Sequence, residues 1–305
     1  MANLSANSLF HFTPRSFLLD KFENGFIPRY NTEFDPVLDL GYFNASYHIT
    51  KMNFADNTSE DLSHNYHHSI QIAMVCFCDI PLSSLEYHMN VYSGYGIGMT
   101  KDWGLLKGLN PVLYINDNSD FFRTFSGLLN GLGFLSTLVL ENLEKISNEL
   151  EISPQPPSLL TSGIFLGTVH QQQFLWNSIQ ENFIKQLKPY KCRGKYKGEI
   201  ENYSYYNEKE WRYVPWIEPG NKVRPVIMKS LSQEEIHPLN EQMKSHALKF
   251  EAKDIKYVIV EHSEDIDYLA EGLKDIQNRT SLYSDTDINS IMTKVITRSQ
   301  IMEDF

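Results

Sequence analysis

The chain has 305 residues, 42% of them hydrophobic, and a formal net charge of −11. This length and composition can bury a hydrophobic core, which excludes an intrinsically disordered protein. The acidic balance argues against a protein that coats nucleic acid through general attraction to phosphates. No apolar run is long enough to cross a bilayer, and the start lacks the basic-then-apolar order of a secretory signal. Three cysteines, Cys76, Cys78 and Cys192, are too few for a disulfide framework, so we expect a reducing, cytoplasmic setting.

The first part of the chain predicts short strands separated by a helix and a long loop. "SLFHFT" is typical of a strand, and "SFLLDKFENGF" predicts a short helix that ends at Gly25. Residues 50–69 are polar and rich in turn formers, which predicts a loop. "IQIAMVCFCDI" is apolar on both faces and predicts a central strand, on which Cys76 and Cys78 share one face. "NPVLYI" predicts a further short strand.

The middle of the chain predicts helices. Apolar residues recur every three or four positions over residues 121–150, "SPQPPS" then breaks the pattern, and a second amphipathic helix follows from Phe174 to Leu187. Three strand-like segments come next, "EWRYVPW", "VRPVIM" and "KYVIVE", and residues 265–305 indicate helix or loop. Strands at both ends, with no βαβ alternation and no glycine-rich phosphate loop, predict an α+β fold in one domain, residues 1–305.

One late strand carries candidate catalytic carboxylates. In "YNEKEWRYVPW", strand alternation would place Glu208, Glu210 and Arg212 on one face, with Trp211 and Tyr213 on the other. This pattern fits a solvated edge strand, and it also fits a carboxylate that the strand holds rigidly for chemistry.

Histidines offer weaker candidates. His11 alternates with two phenylalanines in "LFHFT" and shares its face with Thr13, which is typical of a structural histidine. His64, His67 and His68 could bind a metal only with a further ligand from elsewhere. A metal-dependent nuclease that combines this loop with Glu208 and Glu210 is therefore the least favoured hypothesis, since no HExxH, Walker loop or nucleophile elbow is present.

Two further segments each allow two interpretations. The stretch from Lys185 to Gly198 holds six basic residues and no acidic one, which fits a solvated loop or a local phosphate-contact patch with tyrosines for stacking. Gly94, Gly96 and Gly98 follow the central strand, and they allow either close approach of a ligand or tight packing at a crowded bend.

The order of these blocks resembles the AbiGi family of bacterial abortive-infection, or phage-resistance, proteins. The similarity runs from Leu9 to the tail. The blocks that carry it are "LFHFT", "NGFIPRY", "MVCFCDIPLS", "YGIGMTKDWG", "GLNPVLYI" and "EKEWRYVPW".

More distantly, the block order is similar to the His-Tyr-Glu group of ADP-ribosyltransferase folds. This resemblance implies a mixed β core over about residues 9–118 and 195–262, with a helical insertion at about 119–190. It also implies NAD as co-substrate, bound by His11 with Thr13, and stacked on Tyr95 or Tyr92. Arg29 would contact the NAD pyrophosphate.

The same resemblance implies that Glu210, or Glu208 in its place, contacts the nicotinamide ribose. A carboxylate there would stabilise an oxocarbenium-like state as the nicotinamide leaves. The main hypothesis is therefore a cytoplasmic phage-defence effector, a toxin that transfers ADP-ribose to a macromolecule such as RNA. The alternative is a non-catalytic antitoxin that binds a partner protein from the same operon, a role that an acidic protein suits if the partner is basic. Neither hypothesis involves a membrane.

Overall fold

The computed structural model describes residues 6–34, 69–116, 118–125, 182–191, 195–196, 200–201, 203–218, 221, 223–227 and 231–304. The predicted histidine loop, Cys192 and most of the two predicted central helices lie outside the described residues. Within them, residues 120–125 and 182–184 are helical, and Leu187, predicted to end a helix, begins a strand instead.

The described strands are short and spread along the chain. They are β1 Ser8–Phe12, β2 Arg29–Phe34, β3 Ser69–Cys78, β4 Gly96–Thr100, β5 Asn110–Pro111, β6 Leu113–Ile115, β7 Leu187–Pro189, β8 Lys195–Tyr196, β9 Ile200–Glu201, β10 Glu210–Tyr213, β11 Val226–Ile227, β12 Ile255–Val260 and β13 Val295–Thr297.

Besides the partly described helical segments at residues 120–125 and 182–184, the structure describes helices near both ends of the chain. They are α1 Arg15–Asn24, α2 Glu86–Val91, α3 Lys101–Leu106, α4 Gln233–Gln242, α5 Asp265–Thr280, α6 Asp285–Met292 and α7 Arg298–Asp304. Local sequence explains several of their ends. Gly25, with φ at 78°, ends α1, while Ser232 with Glu235 and Ser284 with Asp287 form capping boxes that begin α4 and α6.

The main sheet is largely antiparallel, and its strands run in the order β13, β12, β4, β1, β3, β10, β5. The β12–β13 pair is parallel, whereas β4, β1, β3 and β10 pair with their neighbours in antiparallel fashion. β2 and β11 also pair with β3, so β3 is central as predicted. This mixed α/β arrangement with a largely antiparallel sheet is compatible with the predicted α+β fold class.

Helices cover both faces of the sheet. On one face, Leu9, Phe77 and Ile97 belong to a buried cluster that includes Leu18 of α1 and Leu269 of α5. We call this side face A. On the opposite side, face B, a second cluster joins strand residues with side chains of α2 and α7, and its buried members are Phe10, Cys78, Ile80, Leu85, Met89, Ile259 and Ile301.

Most strand predictions outside the central helices are confirmed. β1, α1, β3, β10, β11 and β12 all agree with their predicted segments, although α1, β3 and β12 begin one residue earlier, and "NPVLYI" forms two strands separated by Val112. The tail is mostly helical as expected, but its sequence does not predict β13. β13 is only three residues long, and it is a strand because its backbone pairs with β12, a long-range contact that local pattern does not show.

The chain divides into two compact units. One comprises Met1–Glu33, Gln71–Leu113 and Lys191–Phe305, and the other comprises Phe34–Ile70 and Tyr114–Tyr190. All the residues of the candidate site belong to the first unit. The single domain proposed from the sequence stays a prediction.

Candidate functional site

The predicted catalytic residues lie on opposite faces of the sheet. Phe10 and Glu210 are both in register with Cys78, so these three side chains point to face B. His11 follows Phe10 in β1 and therefore points to face A, where its ring contacts Phe77 at 5.4 Å between ring centres. The structure thus does not bring His11 and Glu210 together.

His11 is enclosed by aromatic side chains. Its Nδ1 lies 2.9 Å from the carbonyl oxygen of Cys76, to which a protonated Nδ1 donates a hydrogen bond. The Phe26 ring meets it edge-on at 5.0 Å. Burial, and to a smaller extent the positive charge of Lys21, lower the pKa of His11 from 6.5 to about 4. His11 is therefore neutral at physiological pH, and its surroundings are those of a structural histidine.

Tyr95 belongs to a polar cluster that the sequence analysis did not find. Its hydroxyl donates to Asp265 Oδ2 at 2.7 Å, and Arg15 Nε donates to Asp265 Oδ1 at 2.7 Å. The Arg15 guanidinium also stacks on the Tyr268 ring at 4.1 Å. Burial raises the pKa of Asp265, but the hydrogen bonds from Tyr95, Arg15 and the His262 amide outweigh it, so the net pKa is lowered. Burial raises the pKa of Tyr95 to about 12, and the bond to Asp265 adds to this effect.

No local signal links these residues, because 170 positions separate Tyr95 from Asp265 and 250 separate Arg15 from Asp265. Asp265 begins α5, where an acidic residue is common because its negative charge interacts favourably with the helix dipole. Only the packing of α5 against α1 and the start of β4 brings the three side chains together. Tyr95 packs against the face A cluster, on the side of the sheet that also carries His11.

Glu210 is held in a buried ion pair. Arg212 Nε donates to Glu210 Oε1 at 2.5 Å, and Arg212 Nη2 lies 3.1 Å from Glu33 Oε1 of β2. The Arg212 side chain is fully buried and Glu210 is 5% exposed. Although burial opposes the charged form, the two carboxylates raise the pKa of Arg212 well above its usual range. The prediction that Glu210 and Arg212 share one face is confirmed, and that face is buried rather than solvated.

Glu208 does not continue this strand face. It ends a 3-10 turn, Tyr205–Glu208, and Lys209 then adopts a left-handed backbone conformation with φ at 44° before β10 begins. The predicted alternation that joined Glu208 to Glu210 is therefore wrong at this point, because the chain turns instead of extending. Glu208 is 4% exposed, and its Oε1 accepts hydrogen bonds from Tyr92 at 3.0 Å and from Tyr203 at 3.3 Å.

The remaining predicted ligand-binding residues are dispersed. Thr13 is buried, and its amide donates to the Tyr95 carbonyl at 3.0 Å. Arg29 is exposed, and its guanidinium lies 6.0 Å from the centre of the Phe17 ring. The structure brings Tyr92 and Glu208 into direct contact, whereas Tyr95 contacts Asp265. The competing tyrosine and glutamate candidates therefore occupy separate environments.

The three glycines around β4 have packing partners. A Cβ at Gly94 would overlap the Glu261 carboxylate, and a Cβ at Gly96 would lie 3.1 Å from the His11 carbonyl oxygen. At Gly98 it would lie 2.7 Å from the Phe10 ring, which stacks on Tyr257 across β4 with 5.9 Å between ring centres. These contacts favour the crowded-bend interpretation of the glycines over the ligand-approach interpretation.

The structure gives little support to the other candidates from the sequence, which are the basic patch and the metal site. In the basic stretch, Lys188 is buried in β7 and Lys191 is exposed, so the stretch is not a uniform cationic surface in its described part. Within the described residues, no group of three or more His, Cys, Asp or Glu side chains could hold a metal ion. The same residues contain no helix long and apolar enough to span a membrane.

These features describe a mixed α/β protein whose largely antiparallel sheet carries hydrogen-bonded polar clusters on both faces. Residues 49–261 match the family model described as "Putative abortive phage resistance protein AbiGi, antitoxin". The chain is also 27% identical over 253 residues to abortive phage resistance protein AbiGi of Lactococcus lactis subsp. cremoris, which covers 77% of this chain and 89% of that protein. The family match spans more than half of the 305 residues, so the chain belongs to the AbiGi family of abortive phage resistance proteins.

Family membership confirms the main sequence resemblance and supports a role in phage defence. No solved structure matches the chain. The similarity to ADP-ribosyltransferase folds therefore stays a prediction.

Proposed function

We propose that this protein is the antitoxin-type component of an abortive infection system and acts by binding a partner protein rather than by catalysis. The family description contains the word antitoxin, and the partner would be the toxin that it neutralises. The observation that carries the proposal is the environment of Glu210. Its carboxylate is bound to Arg212 within the sheet, on the face opposite to His11.

This environment is poorly suited to the predicted transfer of ADP-ribose. A carboxylate that stabilises an oxocarbenium-like state needs to face the sugar and keep its negative charge available. The guanidinium of Arg212 already occupies both oxygens of Glu210, at 2.5 Å and 3.4 Å. A ribose bound near His11 would lie across the sheet from this carboxylate.

The charge of the chain supports recognition of a protein. A net charge of −11 attracts a basic partner and repels the phosphates of RNA, the acceptor that the transferase hypothesis invoked. Recognition of a basic toxin would use this charge directly, and it requires neither NAD nor a catalytic residue.

The test compares the chain alone with the chain beside its operon partner. We expect the chain alone to leave growth unaffected, and the product of the neighbouring gene alone to arrest it. Co-expression should restore growth, and the two proteins should purify as one complex. Growth arrest by the chain alone would contradict the proposal.

A second arm tests the transferase hypothesis on the purified protein. Wild type and Glu210→Gln are incubated with labelled NAD, with and without RNA and cell lysate. The proposal expects no hydrolysis of NAD and no transfer of label in either sample. Turnover by wild type that Glu210→Gln abolishes in a folded protein would replace the antitoxin function with an NAD-dependent transferase.

A further inference from the structure

A cavity of about 350 Å³ lies between β12, β13 and α7 in the first unit. Its volume falls within the range of small-molecule pockets, roughly 300–1,000 Å³. Two lysines line it, Lys256 of β12 and Lys294 just before β13. We propose that this cavity binds a small organic anion, in which a carboxylate or a phosphate is attached to an apolar or aromatic body. The inference does not rest on the proposed antitoxin function.

The two lysines give the cavity its preference for anions. Lys256 Nζ donates to the carbonyl oxygen of Asn7 at 3.3 Å, and Lys294 Nζ donates to the carbonyl oxygen of Ala252 at 2.7 Å. These acceptors carry no charge, and in the described part of the chain neither ammonium group forms an ion pair with a carboxylate. An ammonium group has three donors, so each lysine keeps two of them for a ligand. Such a pair is a local exception in a chain with a net charge of −11.

An irregularity in β12 turns Lys256 toward the cavity. Ile255 and Tyr257 pair with adjacent residues of β4, Met99 and Gly98, so Lys256 is an additional residue, as in a β-bulge. Regular alternation would place Lys256 and Tyr257 on opposite faces of the sheet. Instead both line the cavity, and Lys256 Nζ lies 5.7 Å from the centre of the Tyr257 ring. Bulges change the direction of side chains in this way and are common beside functional sites.

Apolar side chains form another part of the wall. The half-buried Tyr257 ring is held in place by stacking on Phe10, with 5.9 Å between ring centres. Val295 and Ile296 of β13 are also half-buried and line the same cavity. An apolar or aromatic body would leave water to contact these side chains, while its anionic group bonds to the lysines. The wall therefore suits an organic anion better than a simple ion.

α7 contributes one hydrogen-bond donor and one opposing charge. Gln300 Oε1 accepts from the Thr297 amide at 2.9 Å, so the side-chain NH2 group of Gln300 remains as a donor for a ligand. Asp304 is exposed and lines the cavity at the end of α7, where its negative charge would oppose an anion. The lining residues thus combine two positive charges with one negative charge. Removing the charge of Asp304 gives a test that is opposite in sign to the removal of a lysine.

The first test titrates the purified chain with small probes and follows its NMR signals. Phenyl phosphate and benzoate are the anionic probes, benzyl alcohol is the neutral probe and benzylamine is the cationic probe. We expect one or both anions to shift the signals of residues 256–257 and 293–300 in a saturable way, and the other two probes to leave them unchanged. The anion that binds identifies phosphate or carboxylate as the recognised group. Equal shifts with benzyl alcohol, or no saturable shift with either anion, would overturn the inference.

A comparison with simple ions tests the apolar wall. Inorganic phosphate and acetate carry the same anionic groups as the aromatic probes but lack the ring. We expect each to bind more weakly than its aromatic counterpart, because it leaves the apolar side chains of the cavity without a contact. Equal affinities would overturn the assignment of an organic ligand.

Variants then test the charges of the lining residues. Lys256→Gln and Lys294→Gln should each weaken binding of the anionic probe about tenfold, because each removes a hydrogen bond from a charged donor. Asp304→Asn should strengthen binding about twofold, because it removes a repulsive charge. Lys253→Gln is the matched control, since Lys253 is an exposed lysine outside the cavity.

The set of variants decides the proposal even if one of them does not fold. Lys294 also bonds to a backbone carbonyl, so Lys256→Gln and Asp304→Asn provide the answer if Lys294→Gln is unstable. Opposite effects of these two variants, with no effect of Lys253→Gln, support the anion site. If the lysine variants bind the anionic probe as tightly as Lys253→Gln does, the cavity is not an anion site.

Discussion

Arg212 is a buried cation that two carboxylates share. Replacing it with methionine removes the positive charge that faces Glu210 and Glu33. Uncompensated buried carboxylates are costly, so we expect Arg212→Met to lower the free energy of unfolding by about 3–5 kcal/mol. Urea unfolding followed by circular dichroism measures this change.

Glu210→Gln is the informative companion to Arg212→Met. The amide oxygen can still accept from Arg212, and Glu33 still supplies a negative charge, so we expect a loss of only about 1–2 kcal/mol. If both variants lose the same stability, the ion pairs do not organise this part of the sheet. If the Glu210→Gln variant folds, it is also suitable for the NAD experiment.

The buried histidine gives stability a specific dependence on pH. His11 has a pKa of about 4 in the folded chain and 6.5 as the reference value, so between these pH values the unfolded chain binds a proton that the folded chain does not. Stability from this residue is therefore full above pH 6.5 and falls as the pH drops toward 4. We expect His11→Gln to flatten the fall in unfolding free energy over this window, as measured by urea titrations at several pH values. His237→Gln, at an exposed position, is the matched variant, and an equal flattening by both would contradict the assignment.

At the scale of elements, β4 depends on glycine because β1 and β12 place aromatic rings against it. A methyl group at Gly98 would lie 2.7 Å from the ring of Phe10, which is 1% exposed. We expect Gly98→Ala to lower the unfolding free energy by about 1–3 kcal/mol through overpacking. Thermal and urea unfolding would both report this loss.

The control for β4 is a glycine with open surroundings. Gly108 has φ at 76°, and no atom lies within 4 Å of the position that an added methyl group would occupy, so Gly108→Asn tests backbone preference without crowding. Asparagine tolerates this conformation, and we expect a loss below about 1 kcal/mol. A larger loss at Gly108 than at Gly98 would show that β4 tolerates the added methyl.

The element scale also shows where sequence reasoning succeeds and where it stops. Alternation and capping signals are local, so β1, α1, β3 and β12 could be predicted from their own residues. Contacts between distant segments leave no such signal. The sequence therefore could not place Asp265 beside Tyr95, or put His11 and Glu210 on opposite faces. The turn at Lys209 was also missed, because lysine rarely adopts the left-handed conformation that the structure requires there.

At the scale of the whole molecule, electrostatic attraction acts on a partner before specific contacts form. The formal charge of −11 creates a field that extends over about one Debye length, roughly 8 Å at physiological salt. Exposed acidic side chains lie on α5, including Asp267 and Glu271. The basic side chain of Lys274 is exposed on the same helix. A basic partner would be drawn toward such surfaces before any specific contact forms.

This steering predicts how the antitoxin complex forms. The association rate constant with the operon partner should fall about tenfold as salt rises from about 50 mM to about 500 mM, while the dissociation rate changes less. At low salt, Asp267→Asn with Glu271→Gln should slow association and Lys274→Gln should speed it, and at high salt both differences should vanish. Stopped-flow or biosensor kinetics would measure these rates. If the acidic and basic variants change the rate in the same direction, the net charge does not guide the encounter, and recognition depends on local contacts.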